Sequence, residues 1–361
     1  MRRPRPERHE GAGSGRYQEI KIMAYQVRIV GMDQVFSVRD GESILDGALR
    51  AGASMPHDCQ FGGCGTCRIK VESGVIRYDE LPMALAPEEA AQGYALACQA
   101  KPTEDLVVNI ARKTIPFAAP RRVTARVVHI RNLTPGIRHL SLELPEGIDL
   151  DYRPGQYMNV LLGQDAFRSF SMASPPVPGG NQVDFHVRRI AGGYFTDRVL
   201  SSLNPGQELQ IEIPLGEFCY HEEDWRPLLM VATGTGVAPI KAILQSLLDR
   251  GDCPPVSLYW GMRTESDLYL LEEIASWKDR LCDFSFVPVL SQAEVSWQGR
   301  TGYVQQAVCD DFPDLSEHAV YLCGSPSMIG DAKSLFLQQG AEPAYIYADG
   351  FSFQHQSAFA D

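Results

Sequence analysis

Alternation of hydrophobic and polar residues begins after residue 22 and predicts a small β-rich domain. From Tyr25 the segments QVRIV and VFSVRD alternate on either side of a turn at Gly31, which predicts a β-hairpin. Ser43 is suited to cap a short helix that Gly52 ends. With further strands at 68–72 and 106–111, this pattern predicts a β-grasp-like domain over residues 23–112.

Closely spaced strand patterns follow a short linker. Residues 113–121, KTIPFAAPR, contain two prolines and are typical of a linker. Residues 122–223 then contain six strand-like segments separated by Pro and Gly turns, which predict a small antiparallel β-barrel. One helix interrupts the series, and Thr196 is the expected N-cap of its TDRVLSSL segment.

Residues 224–361 change to a repeated order of strand, glycine loop and helix. The strands LLMVA, VSLYWG, DFSFVPVL, AVYLCG and AYIY are short and apolar, and helices are expected around 268–278, 304–310 and 325–338. Such alternation predicts a parallel sheet covered on both faces. The fold class is therefore multidomain: a β-grasp domain, an antiparallel β-barrel and an α/β parallel-sheet domain.

The segment HDCQFGGCGTC carries the most specific chemical signal. Cys59, Cys64 and Cys67 have the Cys-x4-Cys-x2-Cys spacing of plant-type [2Fe-2S] proteins, and Cys98 supplies a fourth thiol. The loop's glycines allow positive φ angles that turn backbone amides toward a cluster. A four-cysteine zinc site is the alternative, but such sites usually have two closely spaced Cys pairs, and only one is present.

The predicted barrel contains a candidate flavin site. The strand RSFS could grip phosphates through a guanidinium, and the GGYFT segment could bind them at a helix start. In a chain that also carries a one-electron cluster, these two phosphate-binding segments together indicate a flavin nucleotide. The eight histidines show no metal-ligand spacing, and His186 is expected to be packed or hydrogen-bonded. The candidate cofactor-binding residues here are Arg168, Ser169, Phe170, Ser171, His186, Val187, Arg188, Gly192, Gly193, Tyr194, Phe195 and Thr196.

Two loops of the predicted parallel sheet indicate a dinucleotide site. GTGVAP is a glycine turn between strand and helix, and CGSPSM follows another parallel strand, so both loops should open at the carboxyl edge of the sheet. A single glycine turn is weak evidence for a dinucleotide site, and two such loops at one sheet edge are stronger evidence. The candidate residues are Gly234, Thr235, Gly236, Ala238, Pro239, Cys323, Gly324 and Met328.

Composition limits the partners and the compartment. The net charge of −12 argues against nucleic acid and stable membrane association, and there is no apolar run of membrane-spanning length. Nine cysteines without a short disulfide framework fit a reducing, cytoplasmic location. Residues 1–22 are predicted to be a disordered tail, and Met23 is an alternative start of translation.

From Met23 to Phe351 the chain resembles the ferredoxin-NADP reductase superfamily, in the branch with an amino-terminal plant-type ferredoxin domain. The Arg168–Ser171, Gly193–Thr196, Gly234–Pro239 and Cys323–Met328 segments carry the resemblance, with Phe170 in place of the usual Tyr. The resemblance implies that Ser171 lies beside flavin N5, that Cys323 lies near the nicotinamide, and that Phe351 covers the flavin. These three are the candidate catalytic residues.

The resemblance also implies the cofactors and the acceptor. The domain order implies FAD rather than FMN, and residues 299–329 are similar to reductases of oxygenases and of a CDP-6-deoxy-sugar dehydratase system. The predicted path is NADH to FAD to [2Fe-2S] to a partner oxygenase or dehydratase. Gln292 and Glu294 after Ser291 favour NADH, although Arg263 and Arg300 could form a cationic pocket. A non-catalytic redox sensor or an electron-transfer subunit fed by a partner protein is the alternative.

Overall fold

The computed structural model describes residues 23–32, 34–57, 59–110, 118–148, 151–163 and 166–351. The predicted disordered tail and the residues after Phe351 lie outside this range. Most of the predicted linker also lies outside it, and the strand that follows begins at Arg121.

The amino-terminal domain is a five-stranded mixed sheet with a helix packed against it, as the alternation predicts. Ser43 caps the first helix and Gly52 ends it at φ 69°. The sheet has the order β2-β1-β7-β3-β5, and its central pair, β1 and β7, is parallel. The elements are β1 Ala24–Ile29, β2 Gln34–Arg39, α1 Ile44–Ala51, β3 Arg68–Ser73, β4 Ile76–Arg77, α2 Pro87–Ala91, β5 Tyr94–Leu96, β6 Lys101–Pro102 and β7 Leu106–Ile110.

The middle domain is the predicted antiparallel barrel. Its six strands have the order β11-β10-β13-β8-β9-β12, and a bridge between Met172 and Phe185 joins the two end strands. Inward-facing side chains such as Val183, Phe185 and Val187 fill its core. The elements are β8 Arg121–Thr134, β9 Ile137–Glu143, β10 Tyr157–Leu161, β11 Phe167–Ser171, β12 Gln182–Arg188, a π-helix Tyr194–Val199, α3 Leu200–Ser202 and β13 Glu208–Leu215.

The carboxyl-terminal domain is a six-stranded parallel sheet of order β17-β16-β15-β14-β18-β19. Separate apolar clusters cover its two faces, one containing α4 and α5 and the other α6 and α7. The helix expected at 268–278 is shorter than predicted. The elements are β14 Leu228–Thr233, α4 Val237–Leu247, β15 Val256–Met262, α5 Leu271–Ala275, β16 Phe284–Leu290, β17 Arg300–Thr301, α6 Val304–Asp311, β18 Ala319–Gly324, α7 Pro326–Gln338 and β19 Ile346–Gly350.

Candidate functional site

The four candidate cluster ligands occur as two pairs of thiols. Cys59, Cys64 and Cys67 lie on the loop 59–67, here called the cluster loop, and Cys98 lies in the turn after β5. Hydrogen bonds join Cys59 to Cys64 and Cys67 to Cys98. The Gly63 amide also donates to the Cys59 Sγ at 3.3 Å. The spacing and the fold together bring all four sulfurs to one end of the domain.

This pairing distinguishes a two-iron cluster from a single zinc ion. Among the described residues, the thiols do not form a group of three or more donors within 4.8 Å of one another, as one ion requires. Two separate pairs of thiols suit two metal ions, and Cys59, Cys64, Cys67 and Cys98 would supply the four sulfur ligands. The residues therefore fit a [2Fe-2S] cluster.

The local environment shifts the pKa of one thiol in each pair toward the thiolate form that binds iron. The hydrogen bond from Cys64 lowers the pKa of Cys59 to about 6, against the opposing effect of burial. The hydrogen bond between Cys67 and Cys98 lowers the pKa of Cys98 and raises that of Cys67. Each pair thus contains one thiol whose pKa lies below its usual value.

The glycines of the cluster loop have different functions. Gly62 and Gly65 take φ angles of 80° and 82°, as the sequence predicts. Gly63 does not, but a Cβ on Gly63 would lie 2.4 Å from the Phe61 ring. Phe61 and Cys59 in turn line a cavity of about 1240 Å³ that the three domains share, here called the central cavity. One side of the cluster loop therefore opens onto the candidate cofactor site.

The barrel side of the central cavity is suited to a flavin nucleotide. Three arginines, Arg168, Arg188 and Arg189, line it, which is the charge expected opposite a pyrophosphate. The rings of Phe170 and Phe195 lie 5.2 Å apart, centroid to centroid. Of the barrel candidates, all line the cavity except Val187, which points into the barrel core, and Gly192.

Thr196 was expected to be a helix N-cap, and that prediction is wrong. The helical segment begins three residues earlier, as a π-helix with Gly193 at its N-cap. A Cβ on Gly193 would lie 2.6 Å from Thr196 Oγ1, so the close turn requires glycine. Thr196 Oγ1 instead accepts a hydrogen bond from the Ile190 amide at 3.2 Å. The residue still lines the cavity, but it stabilises the preceding loop.

The two glycine loops of the carboxyl-terminal domain meet at one sheet edge. They follow the adjacent parallel strands β14 and β18. A Cβ on Gly236 would lie 2.3 Å from the Cys323 carbonyl oxygen, and one on Gly324 would lie 2.2 Å from Thr233 Oγ1. Gly234, Thr235, Ala238, Gly324 and Met328 line the central cavity. Backbone therefore packs on backbone here and leaves an open edge for a dinucleotide.

The candidate catalytic residues occupy different environments. Ser171 Oγ donates to Asp349 Oδ2 at 3.4 Å, and Phe351 lines the cavity while its amide bonds to the Gly324 carbonyl at 2.8 Å. The Cys323 side chain is fully buried in the sheet core, and this burial raises its pKa. Cys323 does not line the cavity and contributes its backbone, so its catalytic role stays a prediction.

A histidine cluster on the barrel had no signal in the sequence, because its members come from three strands. His129, His139 and Asp184 bring donor atoms within 4.8 Å of one another. His139 Nε2 bonds to Asp184 Oδ1 at 2.9 Å, and Arg131 Nε donates to His139 Nδ1 at 3.1 Å. Since a guanidinium occupies the open side of His139, we interpret the cluster as a hydrogen-bond network.

His186 packs edge-on against His139, with ring centroids 5.8 Å apart, and contacts the carboxyl-terminal domain on its other side. Its Nδ1 lies 3.1 Å from the Tyr269 hydroxyl, and burial followed by the charge of Lys241 lowers its pKa to about 3. Lys241 Nζ donates to the Ala173 carbonyl at 3.0 Å across the same boundary. His186 is thus a neutral, hydrogen-bonded residue, as expected, and it connects the two sides of the cavity.

Several cavity residues were not identified from the sequence. Asp349 is the most informative, because it lies in β19 directly opposite Cys323 of the neighbouring strand β18. Arg300, one of two possible cations for NADPH, pairs with Asp311 and does not line the cavity, whereas Arg263 does. The other cavity residues outside the predicted set are Thr134, Gly136, Ile137, Tyr157, Ile190, Ala191, Thr233, Gly261, Met262, Asp267, Ser291, Gly302, Tyr303, Val304, Gln305, Ser325, Ser327, Asp331 and Gly350.

Comparison with known families covers each domain separately. The 2Fe-2S iron-sulfur cluster binding domain matches residues 27–103, the oxidoreductase FAD-binding domain matches 124–220, and the oxidoreductase NAD-binding domain matches 230–334. These matches show the three cofactors that the residues had indicated.

Whole-length relatives give the same result. The xylene/toluene monooxygenase electron transfer component XylA of Pseudomonas putida is 34% identical, over 90% of this chain and 93% of the relative. The CDP-6-deoxy-L-threo-D-glycero-4-hexulose-3-dehydrase reductase of Yersinia pestis is 32% identical, over 91% of this chain and 99% of the relative. The crystal structure of the Amycolatopsis cytochrome P450 reductase GcoB has a TM-score of 0.64 and 33% identity, over 91% of this chain and 98% of that chain. The chain belongs to the ferredoxin-NADP reductase superfamily, in the branch that carries an amino-terminal plant-type [2Fe-2S] domain.

Proposed function

We propose that this protein is the NADH-oxidising reductase component of an oxygenase system, with a dehydratase partner as the second possibility. The observation that carries the proposal is the central cavity, because the cluster loop, the flavin segments and both glycine loops all line it. Each redox group would therefore lie next to the one that receives its electrons. FAD, when bound, would supply the conversion of a two-electron hydride into two single-electron steps.

The chain's own residues would bind and orient the reactants. Arg168 and the Gly193–Thr196 turn would hold the flavin phosphates, and the loops at Gly236 and Gly324 would admit the dinucleotide. The hydrogen bond between Ser171 and Asp349 would orient the serine hydroxyl toward the flavin. Phe351 at the end of β19 would exclude water from the cavity.

Coenzyme preference and location are parts of the same proposal. Gln292 is exposed beside Ser291, which lines the cavity, and no cation follows that serine directly. This arrangement supports NADH over NADPH. All nine cysteines are present as thiols, which supports a reducing compartment such as the cytoplasm. No helix among the described residues has both the length and the apolar character to cross a bilayer.

The test uses the purified holoprotein under anaerobic conditions. NADH should bleach the flavin absorbance and should drive reduction of both ferricyanide and cytochrome c without another protein. A protein that binds flavin and iron but is not reduced by NADH would instead be an electron-transfer subunit fed by a partner. An oxygenase component encoded beside this gene, added to the assay, would then show whether the electrons reach a terminal acceptor.

A further inference from the structure

Two buried cationic side chains cross the interface between the amino-terminal and carboxyl-terminal domains in opposite directions. Arg68 of β3 donates to the Pro343 carbonyl, and Lys333 of α7 donates from Nζ to the Ala84 carbonyl at 2.8 Å. Only 2% of Arg68 and 1% of Lys333 is exposed. A buried cation is costly unless its charge is compensated, so each such residue requires a physical reason.

Arg68 has a carboxylate partner within its own domain. Its Nη2 lies 2.7 Å from Glu89 Oε1, and both side chains are almost fully buried. Glu89 also accepts the Ala86 amide at 2.8 Å through its other oxygen. The charge of Arg68 is thus balanced by a residue of the segment that connects Cys67 to Cys98.

Lys333 lies against the cluster loop itself. Its Nζ is 3.1 Å from the position that a Cβ on Gly65 would occupy, between the ligands Cys64 and Cys67. Ala84, whose carbonyl accepts the hydrogen bond from Lys333, donates a hydrogen bond from its own amide to the Gly62 carbonyl at 2.9 Å. The ammonium group is therefore connected to the cluster loop by direct contact and through one peptide.

The same helix also reaches the dinucleotide site. Ser325 caps α7 by accepting the Met328 amide at 3.3 Å, and Ser325, Ser327 and Met328 line the central cavity. Lys333 follows Met328 by five residues, a rise of about 7.5 Å along the helix. One rigid element thus carries a cavity-lining end and a cation beside the iron ligands.

We propose that Lys333 is a positioning residue for electron transfer: it docks the cluster loop onto α7, and its charge raises the reduction potential of the cluster. This inference rests on the proposed function, since it assumes that the cluster takes electrons from the flavin. The four thiolates are anionic, and reduction adds another negative charge that a nearby buried cation stabilises. The charge would make the flavin-to-cluster step more favourable.

The test compares Lys333→Met, Lys333→Gln and Lys333→Arg with the wild-type holoprotein. Methionine keeps the unbranched side chain and removes the charge, glutamine keeps a hydrogen-bond donor without the charge, and arginine keeps the charge. The cluster potential is measured by dithionite titration with mediators, followed by electron paramagnetic resonance. We expect a lower midpoint potential in the methionine and glutamine variants and a potential close to wild type in the arginine variant.

Docking is measured separately by hydrogen exchange of the amides in residues 61–67 and 82–86. We expect faster exchange in Lys333→Met than in Lys278→Met, which removes an exposed lysine of the same domain. A cluster potential and exchange rates equal to wild type in Lys333→Met would overturn the proposal. Because dithionite reduces the cluster without NADH, failure of the proposed function would appear separately, as a wild-type flavin that NADH does not reduce.

Discussion

The carbonyl oxygen of Gly63 lies 2.8 Å from the position that a Cβ on Gly350 would occupy. Gly63 lies between two iron ligands, and Gly350 lies between Asp349 and Phe351 at the cavity edge of β19. The cluster loop and the cavity edge of β19 therefore pack backbone to backbone at this point. A side chain at this point would have to separate them.

We accordingly predict that Gly350→Ala slows the reduction of the cluster. The new Cβ meets a backbone oxygen, which cannot move out of the way as a flexible side chain would, and overpacking of this kind costs about 1–3 kcal/mol. Stopped-flow absorbance should show flavin reduction by NADH close to wild type and a slower second phase. Gly330→Ala is the matched control, because its Cβ would make ordinary contact with the Met83 carbonyl at 3.6 Å. Equal second-phase rates in the two variants would contradict the prediction.

Removal of one iron ligand should affect the reduction of ferricyanide and the reduction of cytochrome c differently. In Cys64→Ser the cluster should be lost or unstable, because a thiolate is replaced by a weaker ligand in one of the two pairs. NADH-driven ferricyanide reduction should persist through the flavin, whereas cytochrome c reduction should fall to near background. Cys309→Ser, a cysteine of α6 outside the site, should retain both activities. Retention of full cytochrome c reduction in Cys64→Ser would contradict an electron path from the flavin through the cluster.

Gly236→Ala should impair dinucleotide binding while sparing the flavin. Its Cβ would lie 2.3 Å from the Cys323 carbonyl oxygen, so the two glycine loops would have to move apart, at a cost of about 1–3 kcal/mol. We expect normal FAD content, a raised KM for NADH and a lower thermal midpoint. Gly251→Ala serves as the control, since its Cβ would have nothing within 4 Å. An unchanged KM would show that this turn does not shape the site.

Coenzyme preference should respond to one exposed residue. Wild-type protein should have a higher kcat/KM for NADH than for NADPH. In Gln292→Arg, a guanidinium near Ser291 could pair with the 2′-phosphate of NADPH, and a gain of about 1.4 kcal/mol would shift the ratio roughly tenfold. Steady-state kinetics with both coenzymes measures the ratio. A wild-type preference for NADPH would refute this assignment.

The neutral state of His186 predicts a pH dependence of stability. In the folded protein its pKa is lowered to about 3, whereas in the unfolded chain it should be about 6.5. As the pH falls below about 6.5, the unfolded chain binds a proton that the folded protein does not. The free energy of unfolding should therefore decrease by up to about 1.4 kcal/mol per pH unit from this group. Urea unfolding of wild type and His186→Asn between pH 5 and 7 should show a shallower slope in the variant, and identical slopes would count against a buried neutral imidazole.

Local patterns predicted the domains and the ligand spacing but not the contacts between domains. The positive φ angles of Gly62 and Gly65 and the cap at Ser43 follow from residue type, because each depends on a few neighbours in the chain. Other contacts form only when distant strands and domains pack together, as they do at Asp349, at Lys333 and in the histidine cluster. Thr196 was misassigned because Gly193 can begin the helical segment earlier and releases the threonine hydroxyl for Ile190.

The hydrogen bonds that Arg68 and Lys333 make across the domain boundary limit which iron-sulfur domains can be combined with which nucleotide-binding domains. Each of these side chains recognises a carbonyl group of the other domain, so a foreign iron-sulfur domain would need both the matching arginine and a backbone that presents its oxygen to α7. A chimera built only by joining compatible linkers would keep Lys333 of α7 and would bury its charge at a boundary that no longer offers the matching carbonyl group.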